Sequence, residues 1–206
     1  MEELLQQVTN GLAVGGVYAL VALGYTMVYG VLRLINFAHG ELFTLGAYLG
    51  FTFLASSFAG GRLGTAGGLV VLALLVMGLV GVAGAVLERA AYRPLREAPR
   101  LSAVVSALGA SIFLQNALML VYGARFQVYP EEALPTGSVP IGPARVPAMR
   151  VAVVLVSVAL MAALWLFVNR TRMGTAIRAV ALDRDAARLS GIDVDAVVRT
   201  VFLVGP

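Results

Sequence analysis

The sequence predicts an all-α, polytopic transmembrane helical bundle, and three observations predict it. The chain of 206 residues is 60% hydrophobic, with a mean hydropathy of +0.89. Only 13% of its residues are charged, against roughly 25% in soluble domains. The charges are also segregated. Five runs lack Asp, Glu, Lys, Arg and His: Leu4–Leu32, Leu42–Gly61, Leu63–Leu87, Leu101–Ala124 and Val151–Asn169. Each is near or above the ~20 residues that carry a helix across ~30 Å of hydrocarbon. In lipid only helices and closed barrels satisfy their backbone polar groups. Barrel strands read as alternating segments of about ten residues, and these runs are too long and too continuously apolar for that.

The first run has 29 residues, about 43 Å at 1.5 Å per residue, so tilt or a break is expected. Gly11, Gly15, Tyr18, Ala22, Tyr25 and Tyr29 recur at steps of four and three and share one stripe. Small residues at this spacing let another helix approach closely. The stripe reads as a helix–helix seam with interfacial tyrosines, or as a seam that also borders a solute path through Tyr18 and Tyr25.

The stretch "VLRLINFAHGELFTLGAYLG" comes next and gathers Arg33, Asn36, the only histidine, His39, and Glu41 within nine positions. It reads either as a wet turn, as a break at membrane depth, or as a hinge or gate beside a path. Gly46/Gly50 and Gly81/Ala85 form further small-residue seams. Ser111 and Gln115 lie one turn apart in the fourth run, with Asn116 adjacent. A polar side chain in lipid needs a partner on a neighbouring helix, so these three are either interhelical glue or substrate contacts.

The last apolar stretch, Thr200–Pro206, has seven residues, too few to cross a bilayer. About five spans and the start of a sixth are therefore expected, in a single transmembrane domain, 1–206, that is incomplete at its C-terminus. The N-terminus opens on Glu2 and Glu3, unlike the basic start of a secretory signal.

Arginine placement predicts orientation. Glu88–Arg100 carries Arg89, Arg93, Arg96 and Arg100, and the segment 170–199 carries Arg170, Arg172, Arg178, Arg184, Arg188 and Arg199. Gly123–Arg150 has three Arg in 28 residues and five Pro, at 130, 135, 140, 143 and 147. The positive-inside rule puts the two Arg-dense segments in the cytoplasm. The Pro-rich segment, the short turn at Arg62 and the N-terminus are then external, and Arg33–Glu41 faces the cytoplasm.

Several chemistries are disfavoured. Without cysteine there is no disulfide, thiolate metal site or thiol nucleophile. No apolar run has an ionisable residue at its middle, which argues against a proton pump or an intramembrane protease. One histidine makes no metal site. Energy for transport is then expected from outside the chain.

The segment "RTRMGTAIRAVALDRDAARLSGIDVDAVVRT" predicts two short amphipathic helices. Gly174 ends the preceding pattern. Thr175–Leu182 puts Ile177, Val180 and Ala181 on one face and Arg178 on another. Asp183 or Asp185 caps Ala186–Leu189, Gly191 suits a C′ position, and Asp193 or Asp195 caps the next span. The segment is either a solvated basic loop or a foot that docks in a groove on another protein.

Taken together, "NGLAVGGVYALVALGYTMVYGVLRLINFAHGE", "ERAAYRPLR", "ALGASIFLQN" and "RMGTAIRAVALDRDAARLSGIDVDAVV" closely resemble the permeases of branched-chain amino acid ABC transporters, in particular the LivH-type subunit. The resemblance runs from about Asn10 to the end and implies a subunit of an ATP-driven importer of Leu, Ile and Val in a bacterial inner membrane. Some members of the family move urea, short amides or other amino acids. An ion-coupled carrier using His39 and Glu41 is a distant alternative. The implied partners are a paralogous permease, two cytoplasmic ATPases, a periplasmic or lipid-anchored solute-binding protein and the bilayer, with no nucleic acid. The chain itself is expected to be no enzyme and to bind no cofactor, ATP and Mg belonging to the ATPases. Within segment 170–199 the resemblance assigns ATPase coupling to Gly174, Ala176, Arg178, Ala179, Asp183, Ala186, Ala187, Gly191 and Ile192. It places Asn36, His39 and Glu41 at a turn near the path, satisfying helix ends and each other.

Overall fold

A computed structural model describes residues 2–58, 66–95, 98–125, 127–129, 137–141 and 144–206. The expected turn at Arg62, as well as Arg96, Pro130, Pro135 and Pro143, lies outside the described residues. Four long helices meet the length and hydropathy of a membrane span. They are α1 (Glu2–Leu32), α3 (Ala66–Leu87, continued by irregular helix to Leu95), α4 (Arg100–Tyr122) and α5 (Ala148–Arg170). A fifth, α2 (His39–Phe58), has 20 residues, enough to reach across ~30 Å. It begins on His39 and Glu41, so its apolar part is shorter than in the other four. The fold is thus the expected polytopic helical bundle.

The apolar runs stay helical because the helix is the only open segment that satisfies its own backbone in lipid. Most of the large apolar side chains of α3, α4 and α5 point outward in this single chain, as lipid-facing helices require. The buried core sits at one end of the bundle. It joins Val28, Val31 and Leu32 of α1, Ala38 and Leu42 around the α1–α2 turn, and Val80 and Leu87 of α3. Three short helices complete it: α6 (Arg172–Leu182), α7 (Arg184–Leu189) and α8 (Val194–Val204).

The seven-residue tail that was too short to span continues α8 to Val204, and its Val201 and Phe202 are packed inside while Leu203 and Val204 face outward. Val197, Val198, Val201 and Phe202 are essentially inaccessible. Glycines make room for it. A Cβ on Gly81 would stand 2.6 Å from the Leu203 carbonyl oxygen, and one on Gly24 or Gly84 would collide with the carbonyls of Gly205 or Phe202. The Gly81 seam therefore holds a short helix of this chain.

The stripe on α1 behaves differently. Gly11, Gly15, Tyr18, Ala22 and Tyr29 are exposed, and nothing lies within 4 Å of a Cβ at Gly11 or Gly15. The helix packs on α5 through another face, where a Cβ on Gly16 would be 3.0 Å from the Ser157 Cβ. Small residues occupy more than one face of α1, so spacing alone did not pick the packed one. Gly46 does pack as expected, against Val80 of α3, whose Cγ2 would stand 3.3 Å from a Cβ added at Gly46.

After α4 the chain returns along the bundle. Tyr122 stacks on Tyr48 with centroids 4.3 Å apart. Tyr129 closes on Gly50 and donates to the Ala47 carbonyl at 2.6 Å. Burial raises the Tyr129 phenol above its ordinary pKa. The Pro-rich segment contains a hairpin, β1 (Ser138–Ile141) and β2 (Ala144–Pro147), with Val139 opposite Val146. Val146 is fully buried.

Candidate functional site

The polar turn between α1 and α2 is buried on one side. Asn36 is 2% exposed and His39 4%, whereas Arg33, Ile35, Phe37 and Gly40 are exposed, so the turn is wet on one side and closed on the other. The Asn36 Oδ1 accepts from the Ala38 amide at 3.1 Å and from the Tyr92 hydroxyl at 2.7 Å. Its carbonyl accepts from the His39 amide at 3.2 Å. One short side chain thereby shapes the turn that starts α2 and ties it to the far end of α3. Asn and Asp do this because their oxygen reaches the amide two residues on.

Tyr92 is held by an irregularity. Residues Glu88–Tyr92 form a π-helical turn, and Arg93–Leu95 a 3₁₀ turn. Single π-turns re-aim side chains and recur at functional sites. Here the turn buries Glu88 and Tyr92 and lays Tyr92 against Phe202 of α8, 5.0 Å between centroids. The His39 ring meets Tyr25 edge-on at 5.7 Å. Glu41 does not join Asn36 or His39 in the described hydrogen bonds. It accepts from Ser111 of α4 at 3.4 Å, so the Ser111 position serves as interhelical contact. Gln115, Asn116 and Tyr18 are exposed on this chain, and the Asn116 amide turns back on the Ile112 carbonyl.

The second cluster is the α6–α7 foot. Helix α5 ends at Thr171, whose hydroxyl caps α6 by accepting from the Gly174 amide at 2.9 Å. Gly174 is therefore inside the first turn of α6 rather than at the break. It is glycine because a Cβ there would run into the Phe167 and Val168 carbonyls. Asp183 caps α7, accepting from the amides of Asp185 and Ala186 at 2.8 and 3.1 Å. Gly191 takes φ +81 as expected, and Asp193 caps α8 through the Ala196 amide at 3.0 Å.

Of the residues assigned to coupling, Gly174 and Ala187 are buried, and Ala176, Ala179 and Ile192 pack against the core. They root the foot in the bundle. Arg178, Asp183, Ala186 and Gly191 face outward. So do two residues the sequence reading did not single out, Leu182 and Leu189, at 80% and 91% exposure. Each ends a short helix rooted by buried residues, Ile177 and Val180 in α6 and Ala187 in α7, a signal visible in the pattern only once the helix bounds are known.

The arginines of this end do more than mark a side. Arg178 donates to the Val168 carbonyl in the last turn of α5. Arg33 donates to the carbonyls of Ala181 and Leu182, at 3.2 and 3.1 Å, closing the end of α6. Arg184 donates through Nε to the Val31 carbonyl at 3.1 Å, and also through Nη2, closing the end of α1. The last carbonyls of a helix lack intrahelical partners and carry its partial negative charge, so guanidinium groups suit them. Leu32–Leu34, Leu95, Ala98, Ala103, Val180 and Leu182–Arg184 surround a cleft of about 410 Å³. The three polar connections thus meet at one end of the molecule. Among the described residues no group of three His, Asp or Glu is placed to hold a metal.

Comparisons with known proteins agree with this architecture. The model of the branched-chain amino acid transport system / permease component family matches residues 7–205. The chain belongs to that family, a class of multi-pass membrane transport subunits. It is 40% identical over 212 residues to the high-affinity branched-chain amino acid transport system permease protein LivH of Escherichia coli, covering 98% of this chain and 66% of that protein. It is 39% identical to LivH of Salmonella typhimurium and 38% identical, over 211 residues, to BraD of Pseudomonas aeruginosa, a protein of the same description, with the same coverage. The chain thus spans just under two thirds of the length of these relatives. No solved structure matches it.

Proposed function

We propose that the chain is part of the membrane-spanning subunit of an ATP-driven importer of branched-chain amino acids. In this reading a paralogous permease completes the translocation path, a solute-binding protein delivers the substrate, and two ATPases dock on the arginine-rich end. That end faces the cytoplasm in this account, as its Arg density favours. The names of the relatives support the substrate class, an aliphatic zwitterion.

One observation carries the docking. Leu182 and Leu189 are the large apolar residues that project from the foot, while Ile177, Val180 and Ala187 are inside. Exposed leucines at the tips of short, capped helices suit insertion into a groove on a partner. The foot is also rigidly rooted, through Gly174, Ala187 and three helix caps, so a push on it reaches the bundle. The apolar runs carry no ionisable residue at their middles that could couple ions, which favours an external motor.

The test is a Leu182→Asp/Leu189→Asp variant in the assembled importer. Membrane insertion should be unchanged, while the ATPases fail to co-purify and ATP-dependent leucine uptake falls at least tenfold, as expected when interface anchors worth roughly 2 kcal/mol or more are removed. Normal co-purification with normal uptake would overturn the docking. Uptake sustained by an ion gradient without ATP would overturn the importer reading as a whole.

A further inference from the structure

The two arginine caps that link α1 with the foot are reciprocal. Arg33, one residue beyond α1, closes α6, and Arg184, the first residue of α7, closes α1. Each guanidinium reaches about 150 residues along the chain, with separations of 148, 149 and 153. Arg178 differs, since it caps α5 only ten residues away.

A second observation singles out Arg33. Its φ is +53, and it is the only non-glycine residue with positive φ among the described residues. Its amide donates to the Tyr29 carbonyl at 2.7 Å, so it occupies the left-handed position that ends a helix. Glycine fits that position without steric cost, and an L side chain does not. As a backbone stop alone, Arg33 would be better as glycine. What arginine adds is the guanidinium on α6. Backbone strain retained at a site where the side chain makes a specific contact points to function.

We propose that Arg33 and Arg184 are positioning residues that lock the foot to the end of α1, so that a displacement of α6–α7 moves α1 and the Asn36 turn with it. The inference rests on the docking reading above. Helix ends joined by two opposed pairs of charge-assisted bonds resist both separation and sliding, because each arginine is anchored on the element that the other one grips. From α1 the displacement continues into the turn that Asn36 and Tyr92 tie to α3. Arg33 and Arg184 thus stand between the foot and the bundle.

Two measurements test this, the first helped by a chain that has no cysteine. In the first, spin labels on Tyr29→Cys and Ser190→Cys report the distance between α1 and the end of α7 in the assembled importer. The distance should be the same without nucleotide and with ATP, and should broaden and change between those states in Arg33→Gly. A distance that shifts between the two states in the parent overturns the lock. In the second, Arg33→Gly and Arg184→Ala should keep their ATPases and hydrolyse ATP at the basal rate, while leucine uptake falls about tenfold, within the usual range for coupling between sites. Arg33→Lys, which keeps donors for the α6 carbonyls, should recover much of the uptake, whereas a role as helix stop alone would be served best by glycine. Parental uptake by Arg33→Gly, or loss of its ATPases, overturns the proposal. Should Leu182→Asp/Leu189→Asp leave the ATPases in place while the label distance stays fixed, the docking reading falls and the lock stands.

Discussion

At the scale of single residues, the buried turn rests on one amide side chain. Asn36 holds the Ala38 amide and the Tyr92 hydroxyl with the same oxygen, while its Nδ2 makes no hydrogen bond among the described residues. Tyr92→Phe keeps the ring against Phe202 and removes only the hydroxyl donor. The expected loss is about 1–2 kcal/mol, the range for a buried hydrogen bond. That corresponds to roughly 2–4 °C in the melting midpoint per kcal/mol for a chain of this size. Asn36→Ala also deletes the contact that shapes the turn and should cost more. Equal midpoints for Tyr92→Phe and the parent protein would show that this bond holds nothing. Sequence made Asn36 and His39 conspicuous by polarity in an apolar setting, but it could not show that they are buried or that Tyr92 is the partner of Asn36. That partner arrives through a π-turn, and a one-residue shift of helical phase leaves no periodic trace.

At the scale of elements, the helices themselves were legible because lipid leaves a charge-free run few other options. The caps of the foot were legible too, since Asp183, Asp193 and Gly191 have side-chain or backbone chemistry that suits a helix end. What escaped was which apolar face meets which. Without water to drive burial, small residues allow contact but do not demand it, and α1 carries them on several faces. The glycines of α3 show how the structure separates these cases. A Cβ on Gly84 would strike the Phe202 carbonyl, whereas nothing lies within 4 Å of one on Gly78. Gly84→Ala should therefore push α8 outward and destabilise the protein by about 1–3 kcal/mol, the usual penalty for overfilling a packed site. Gly78→Ala, on the same helix, should be neutral or stabilising by up to about 1 kcal/mol, since alanine is the better helix former. Thermal unfolding of the two variants side by side decides whether α8 is seated as described, because equal midpoints would mean that its carbonyls do not rest on α3.

At the scale of the whole molecule, sequence and structure read the same asymmetry in different ways. Counting arginines placed segments 88–100 and 170–199 on one side. The structure brings Leu95 and Ala98 beside Arg33 and Arg184 around one cleft, and puts the β1–β2 hairpin at the start of α5, whose 23 residues span about 35 Å before reaching the foot. The two ends are therefore a membrane's width apart, and a label on each should respond to opposite compartments. Val139 in the hairpin and Ser190 after α7 are both exposed, and the absence of cysteine allows either to be the only thiol. An impermeant maleimide added to intact cells should label Val139→Cys and spare Ser190→Cys. In inverted vesicles the pattern should reverse. The rationale is electrostatic as well as topological: Arg178, Arg33 and Arg184 sit on negative helix ends, but Arg172 and Arg188 remain exposed and favour the anionic leaflet by about 1 kcal/mol each. Labelling of Ser190→Cys from outside intact cells would place the foot away from any nucleotide, and no arrangement of caps could then make it the point where an ATPase pushes.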